Sequence, residues 1–587
     1  MKIKSLLIGM LACSAMVACT NEDAPVNNGN DNQKGDAYVT VKLAMSGNAG
    51  SRAFQDGQFI DGENNEVAVN KAIFYFFDEN GQGCADKFVM TNTANLVWAD
   101  NSASIDEKSK AIVVIKNPVA TPTSMLVLLN CEDPTNDMRP SLAQLQAVTK
   151  NTGDLVVTSG APSVNYHIMS NAVYVNEGTV MVGTPITSDN ITISANDKEL
   201  GANDEGDKNV NGEDCVPVVV SVERLWAKVG MTPIAGYSEV LTPATEEADN
   251  DYRPAKKEYE IQATVTGWWL ASKANKTYLI KNLSNKYEVA PFISTSTWWN
   301  DVNNKRSYWA NMPTMTAGDY TNETTWSGAN LTNESEYCLE NTSNSVDGDI
   351  NQNGPGTATQ YAAKAILKLK NSEGKFVETT FVRWLNTIYT EADFFQMIAN
   401  AYNNYRIQVG EGESLALYDL NGVAIKNGEA PINGVLGWNY NGKNNGETLS
   451  LENYEGIITV SDPANGQSFV KKVGEDVYET VTAAAIQEEI RTRIDKVLLW
   501  LNGRTYYYTD IIHNSDVKEV SSTLYGVVRN HLYTLNVTGL TGMGTPVPNP
   551  ELPINPERPE DDEYSHISAE VQIFSYKKVP TQNVTLQ

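Results

Sequence analysis

Residues 541–563 set the firmest limit on what this chain can fold into. Gly542, Gly544, Pro546, Pro548, Pro550, Pro553, Pro556 and Pro559, followed by Asp561, Asp562 and Glu563, leave too few backbone donors for a helix or a central strand. The composition predicts an extended, semi-rigid spacer that does not continue the domain before it. Beyond it Ile567, Ala569, Val571 and Ile573 alternate with Ser568, Glu570 and Gln572, the period of a strand with one apolar face. A strand set beyond a spacer has backbone groups and an apolar row that must find a partner. It can fold back on its own chain or be given to a neighbour.

The front of the chain has the same character. Val39, Val41, Leu43 and Met45 alternate with Thr40, Lys42 and Ala44, and this strand runs into the small residues Gly47, Asn48, Ala49, Gly50 and Ser51. That loop has the composition of a protease-accessible segment, and Arg52 closes it where a trypsin-like protease would cut. A cut there would make the strand detachable and leave an apolar groove in the body. Further upstream, Lys2 and Lys4 precede an apolar run that ends in Ala15-Met16-Val17-Ala18-Cys19. Residues 1–18 read as a secretory signal peptide. The segment resembles the bacterial lipobox, which implies that Cys19 is lipidated. Residues 21–36, rich in Asn, Asp and Gly, read as a tether.

At 587 residues the chain needs at least two domains. The expected division is a lipidated tether and first strand over 19–52, one domain of strands over 53–230, a second domain over 231–540, and the spacer with its strand over 541–587. A formal charge of -28 with no basic patch argues against nucleic acid and anionic membrane surfaces as partners. The abundance of Val, Thr, Tyr, Asn and Gly favours a mostly β fold with short helices. Strands are expected at Ala72-Ile73-Phe74-Tyr75-Phe76-Phe77, at 112–115, 125–129 and 167–174, and as one run over 216–229. Short helices are expected after Ser141, after the capping box at Thr390, and through Ile486, Ile490, Ile494 and Val497.

Nothing in the sequence supports catalysis. His167, His513, His531 and His566 have no metal-ligand or triad spacing, so no catalytic residue, cofactor or enzymatic activity is assigned. The loops opening at Asp207 and Asp349 begin like calcium loops but carry Val218 and Gln360 where the bidentate Glu should stand. They read as turns, and no metal is expected. Cys84, Cys131, Cys215 and Cys338 form no C-x-x-C pair, which leaves three disulfide connectivities or free buried thiols open. The pairs Trp268-Trp269 and Trp298-Trp299 allow either filled cores or a glycan-binding platform.

Several stretches together carry a resemblance to a known family: the lipobox at Cys19, Ser51-Arg52-Ala53, Val222-Glu223-Arg224-Leu225-Trp226-Ala227-Lys228-Val229, Arg306-Ser307-Tyr308-Trp309-Ala310, Tyr337-Cys338-Leu339-Glu340-Asn341-Thr342 and Tyr525-Gly526-Val527-Val528-Arg529-Asn530-His531. The chain resembles the major fimbrial subunits of Bacteroidales type V pili, the Mfa1 and FimA fimbrillins, and is most similar to the Mfa1 type. The resemblance implies two transthyretin-like β-sandwich domains in an exported, outer-membrane lipoprotein precursor. It implies an arginine-specific maturation protease that cuts after Arg52, frees Ala53 as the new N-terminus and removes the first strand. The donor strand of another copy, with Ile567, Ala569, Val571 and Ile573, would then fill the groove in a head-to-tail polymer. Tip and anchor subunits and host or bacterial surface ligands are the further partners implied. In this family anchor subunits look uncleaved and tip subunits lack the tail, so a chain with both features resembles a stalk subunit serving adhesion and colonisation. The alternative is a monomeric surface-anchored lipoprotein that binds glycan or a host ligand.

Overall fold

A computed structural model describes residues 37–44, 69–91, 109–159, 164–176, 179–192, 218–231, 236–241, 259–283, 310–315, 319–321, 325–328, 335–342, 359–385, 387–428, 430–444, 447–511, 526–552, 566–575 and 582–583. The protein is mostly β, built from several largely antiparallel sheets with short helices.

The N-terminal sheet runs in the order Phe88–Met90, Ala72–Phe77, Ser124–Leu129, Met169–Asn171, Val218–Arg224, Ala37–Ala44, with Ser109–Ile115 and Ile191–Thr192 also on the first strand. Ala72–Phe77 is buried at all six positions. An unbroken apolar run is what a strand covered on both faces requires. Phe74 and Phe76 join Met125, Val127, Leu129, Val220 and Val222 in one core. Ile73, Tyr75 and Phe77 join Leu126 and Leu128 in another, on the opposite face. That second face is closed by the helix Leu142–Gln146 and by a strap at residues 273–283 that comes from beyond the N-terminal domain. The helix starts as expected at Ser141, whose hydroxyl accepts from Gln144 N–H at 3.3 Å while Gln144 Oε1 accepts from Ser141 N–H at 2.7 Å. The expected strand over 167–174 is broken into Val164–His167, Met169–Asn171 and Tyr174–Asn176.

The run over 216–229 does not stay in one sheet. Val218–Arg224 belongs to the N-terminal sheet, and after Leu225 the strand Trp226–Met231 enters a second sheet between Glu336–Leu339 and His531–Thr541. The crossing thus falls at Leu225, ahead of the boundary expected after residue 230. Facing this second sheet is another, ordered Ser238–Leu241, Ile261–Ala271, Gln360–Lys370, Arg504–Asp510, Thr545–Pro546. Val229, Trp268, Tyr361, Ala363, Tyr507, Tyr533 and Leu535 fill the space between the two.

A third core lies within the span assigned to the second sandwich. Two further five-stranded sheets, drawn from residues 381–500, enclose the helices Glu391–Ala401 and Ala483–Arg491 around Phe394, Ile398, Ile407, Phe469, Ile486, Ile490 and Leu499. Thr390 caps the first helix by accepting from Asp393 N–H at 3.2 Å. The second helix is shorter than its apolar spacing suggested: it ends at Arg491, and Val497 opens the strand Val497–Trp500. Spacing of four persisted across the helix end because both elements turn an apolar side to the same core.

The expected spacer also begins later than its composition suggested. Residues 542–547 lie against the C-terminal sandwich, with Met543 and Val547 buried. Tyr507 Oη donates to the Gly542 carbonyl at 2.9 Å, and Thr505 Oγ1 lies 2.7 Å and 2.9 Å from the carbonyls of Met543 and Thr545. Proline and glycine end a sheet for lack of donors and side chains, but their carbonyls still accept. This edge segment is held largely through acceptors.

Candidate functional site

The first strand, Ala37–Ala44, occupies a slot inside the N-terminal sheet. One edge pairs antiparallel with Ser109–Ile115 along its length, from Ala37 opposite Ile115 to Leu43 opposite Ser109. The other pairs antiparallel with Ile191–Thr192 through Tyr38 and Val39, then parallel with Val218–Arg224 through Val41 to Ala44. Val39 and Val41 are fully buried among Val113, Ile115, Ile191, Val218 and Val220. The period-two reading of this strand is therefore met at both described apolar positions. Fully burying two such side chains contributes ~1.5–3 kcal/mol each. Cys19, Arg52 and Ala53, the predicted lipidation and cleavage positions, lie outside the described residues.

The terminal strand, His566–Ser575, pairs antiparallel with His531–Thr541 on the same chain. Ile567, Ala569, Val571 and Ile573 stand opposite Leu540, Val537, Leu535 and Tyr533. Leu535 and Tyr533 are fully buried in the core of the C-terminal sandwich. On its far edge the terminal strand meets the two-residue strand Gln582–Asn583 alone among the described residues. Of the two possibilities left by the sequence, this single chain has the fold-back arrangement.

Between slot and terminal strand lies a cluster of charged side chains sealed from solvent. Glu223, from the strand that borders the slot, lies 3.4 Å from Lys281 Nζ in the strap. Lys281 Nζ is also 3.9 Å from Glu340, whose other oxygen accepts from Arg529 Nε at 2.9 Å. The Arg529 fork donates further to Thr277 Oγ1 at 3.0 Å and to the carbonyls of Tyr278 and Leu279 at 2.9 and 3.4 Å. Beside it the Arg224 guanidinium and backbone N–H both donate to Asn530 Oδ1, at 3.2 and 3.3 Å, while Asn530 N–H donates to the Trp226 carbonyl at 2.6 Å. Asn530 sits at φ 60°, a left-handed conformation that asparagine tolerates better than most residues. Glu223, Lys281, Glu340 and Arg529 are each at most 1% exposed. Ions this deep are retained through partners and multiple hydrogen bonds, since an isolated buried charge is prohibitive.

This cluster was not singled out from the sequence. Apart from Lys281, its ionic members fall within the quoted stretches 222–229, 337–342 and 525–531, where charged residues interrupt apolar strand runs. That interruption was the available signal.

The remaining candidates resolve toward structure. Trp268 and Trp269 are buried on opposite sides of one sheet, and Trp500 is buried with its Nε1 3.2 Å from the Met543 and Gly544 carbonyls. These three fill cores; Trp298 and Trp299 lie outside the described residues, as do the loops at Asp207 and Asp349. Cys84, Cys131 and Cys338 are free and buried, while Cys215 is outside the described residues. Burial pushes the Cys84 thiol up to about 12 and the Cys131 thiol up to about 11. His167 and His531 are buried, the latter with Nδ1 2.7 Å from the Arg529 carbonyl. No helix among the described residues is long and apolar enough to cross a membrane.

No curated protein matches the chain. Among solved structures, a proposed cell adhesion protein from Parabacteroides distasonis is 12% identical, with 93% of this chain and 98% of that one covered at a TM-score of 0.34. A fimbrilin from Porphyromonas gingivalis is 11% identical, covering 92% and 98% at a TM-score of 0.33. Such scores carry no argument about this protein. The family model for the major fimbrial subunit protein type IV, fimbrillin, C-terminal, matches residues 499–579, which span Arg504–Asp510, His531–Thr541 and the terminal strand. That match makes residues 499–579 similar to the C-terminal region of fimbrillins.

Proposed function

We propose that this chain is the stalk subunit of a type V pilus, closest to the Mfa1 type, and that it polymerises by strand donation. It is exported as a precursor lipidated at Cys19 and anchored at the outer membrane. An arginine-specific protease cuts after Arg52, leaving Ala53 as the new N-terminus, and the first strand departs. The terminal strand of another copy then enters the vacated slot, and the mature subunit resides in an extracellular fimbrium with tip and anchor subunits. There it serves adhesion to host or bacterial surfaces.

One observation carries this reading. The whole of Ala37–Ala44 precedes Arg52, and it holds an interior slot bordered on both edges by strands from after the cut. A single cleavage therefore separates one sheet strand from all of its neighbours. The terminal strand is the matching piece: it follows a spacer, alternates in the same way, and is ten residues long against eight. In a slot, main-chain hydrogen bonds supply affinity and alternate side chains supply register. Because donor and slot are different surfaces, the contact is head-to-tail and propagates as a fibre.

The test is the N-terminal sequence and intact mass of protein sheared from the cell surface, run boiled and unboiled on a denaturing gel. A start at Ala53 with a heat-sensitive ladder is expected. A lipidated start at Cys19 with monomer alone would overturn the reading and favour a surface-anchored binding lipoprotein.

A further inference from the structure

We propose that the buried chain Glu223–Lys281–Glu340–Arg529, together with Asn530 on Arg224, is a shear clamp that carries tension across the subunit from slot to spacer. The proposal rests on the strand-donation reading, which fixes where a fibre would pull.

The two points of load follow from connectivity. A neighbour's strand seated in the slot would pull on Val218–Arg224, which continues through Leu225 into Trp226–Met231. The subunit's own donor strand would pull first on residues 542–547, held against Arg504–Asp510, and through them on the end of His531–Thr541. Trp226–Met231 and His531–Thr541 are parallel neighbours, with Lys228 opposite Leu532 and Met231 opposite Leu535. One strand is held at its start and the other drawn from its end, so the pair is loaded in shear. Hydrogen bonds across a sheared pair are strained together rather than one after another.

The paired register covers only four residues, from Lys228 to Met231. The ionic cluster reinforces it at the place where slip would begin. Arg529 and Asn530 form the turn that opens His531–Thr541, and they are tied to Glu340, to the strap and to Arg224 beside the crossing. Glu223 and Lys281 extend the tie onto the strand that borders the slot. A buried ion network contributes little net stability over a well-packed apolar cluster, because desolvation offsets the attraction. What it supplies is direction: sliding either strand pulls apart pairs that water cannot reach to replace.

Single-molecule pulling on the full chain tests this. Handles at Val219→Cys and Thr541→Cys, both exposed positions, load the crossing. Handles at Val423→Cys and Val477→Cys, also exposed, load the separate third core as a control. Cys13, Cys19 and Cys215 are replaced by serine so that labelling is confined to the handles. The expected result is loss of the high-force rupture along 219–541 in Glu223→Gln/Lys281→Met, with the 423–477 axis unchanged. Arg529→Lys retains the charge but loses the fork, and the same loss is expected if the double variant does not fold. An unchanged rupture along 219–541, or an equal drop on both axes, would overturn the clamp. Surface ladders of the parent chain judge strand donation separately, since the clamp is read from a single molecule.

Discussion

The first and terminal strands read alike in the sequence but sit in their sheets differently. Ala37–Ala44 has protein on both edges and two fully buried valines in a core it shares with five neighbouring strand residues. His566–Ser575 is laid along one long partner and has a two-residue strand on its far side. The first strand is thus part of the body, and its loss would open a core. The terminal strand is an addition at a border, and its departure would leave His531–Thr541 still held by Trp226–Met231. An occupant that completes a core is hard to replace except by another strand, whereas one that extends an edge is easier to release.

The sharpest way to break this contrast is a charge in the slot. Val41→Asp should destabilise the N-terminal sheet by ~3–5 kcal/mol, since the carboxylate would be buried without a partner. Denaturant unfolding followed by tryptophan fluorescence and circular dichroism checks it; an unmoved first transition would mean that the slot is not part of the core. Truncation after residue 552, which removes the terminal strand, should leave that transition in place and abolish the polymer ladder. Unfolding of the whole monomer on truncation would make the two strands equivalent and remove the contrast.

A smaller effect is expected from Arg52→Ala. The chain should remain folded and lipidated without polymerising, because the first strand keeps its slot; ladders from this variant would count against cleavage as the trigger.

The buried thiols give the finest test. Cys84 shares a core with the first strand, and Cys338 shares one with His531–Thr541. Excising residues 37–44 should speed alkylation of Cys84 but not of Cys338, read by mass spectrometry of the labelled peptides. Their titration also links to stability. An unfolded thiol ionises near ~8.5, while burial holds Cys84 up to about 12 and Cys131 up to about 11. Above pH ~8.5 the unfolded chain releases protons that the folded chain keeps, so stability should fall as pH rises from there. Replacing both thiols with alanine should flatten that part of the slope.

Local pattern was enough to place several of the strands. Ala72–Phe77, Ser124–Leu129 and Ala37–Ala44 were legible because a strand's burial is written at spacing one or two, and the helices after Ser141 and Thr390 because their caps are local. The division between elements was less legible. Val218–Arg224 and Trp226–Met231 form one apolar run in sequence, and only the partners available on each side of Leu225 put them in different sheets. Residues 542–547 were misread as free spacer because composition reports donors lost, not carbonyls accepted by a distant Thr505 and Tyr507.

The sequence by itself determined the mostly β class, the alternation of the two terminal strands and the order in which first strand, Arg52, proline-rich stretch and last strand follow one another. Tertiary structure decided where those strands lie, that the first one fills an interior slot, and that a third core stands within the second half of the chain. It also gathered Glu223, Lys281, Glu340 and Arg529 from positions up to 306 residues apart, counted from 223 to 529, into one buried cluster. Periodicity is a property of neighbours along the chain, whereas a buried charge is tolerated because of partners brought from elsewhere, and those exist once the sheets have packed.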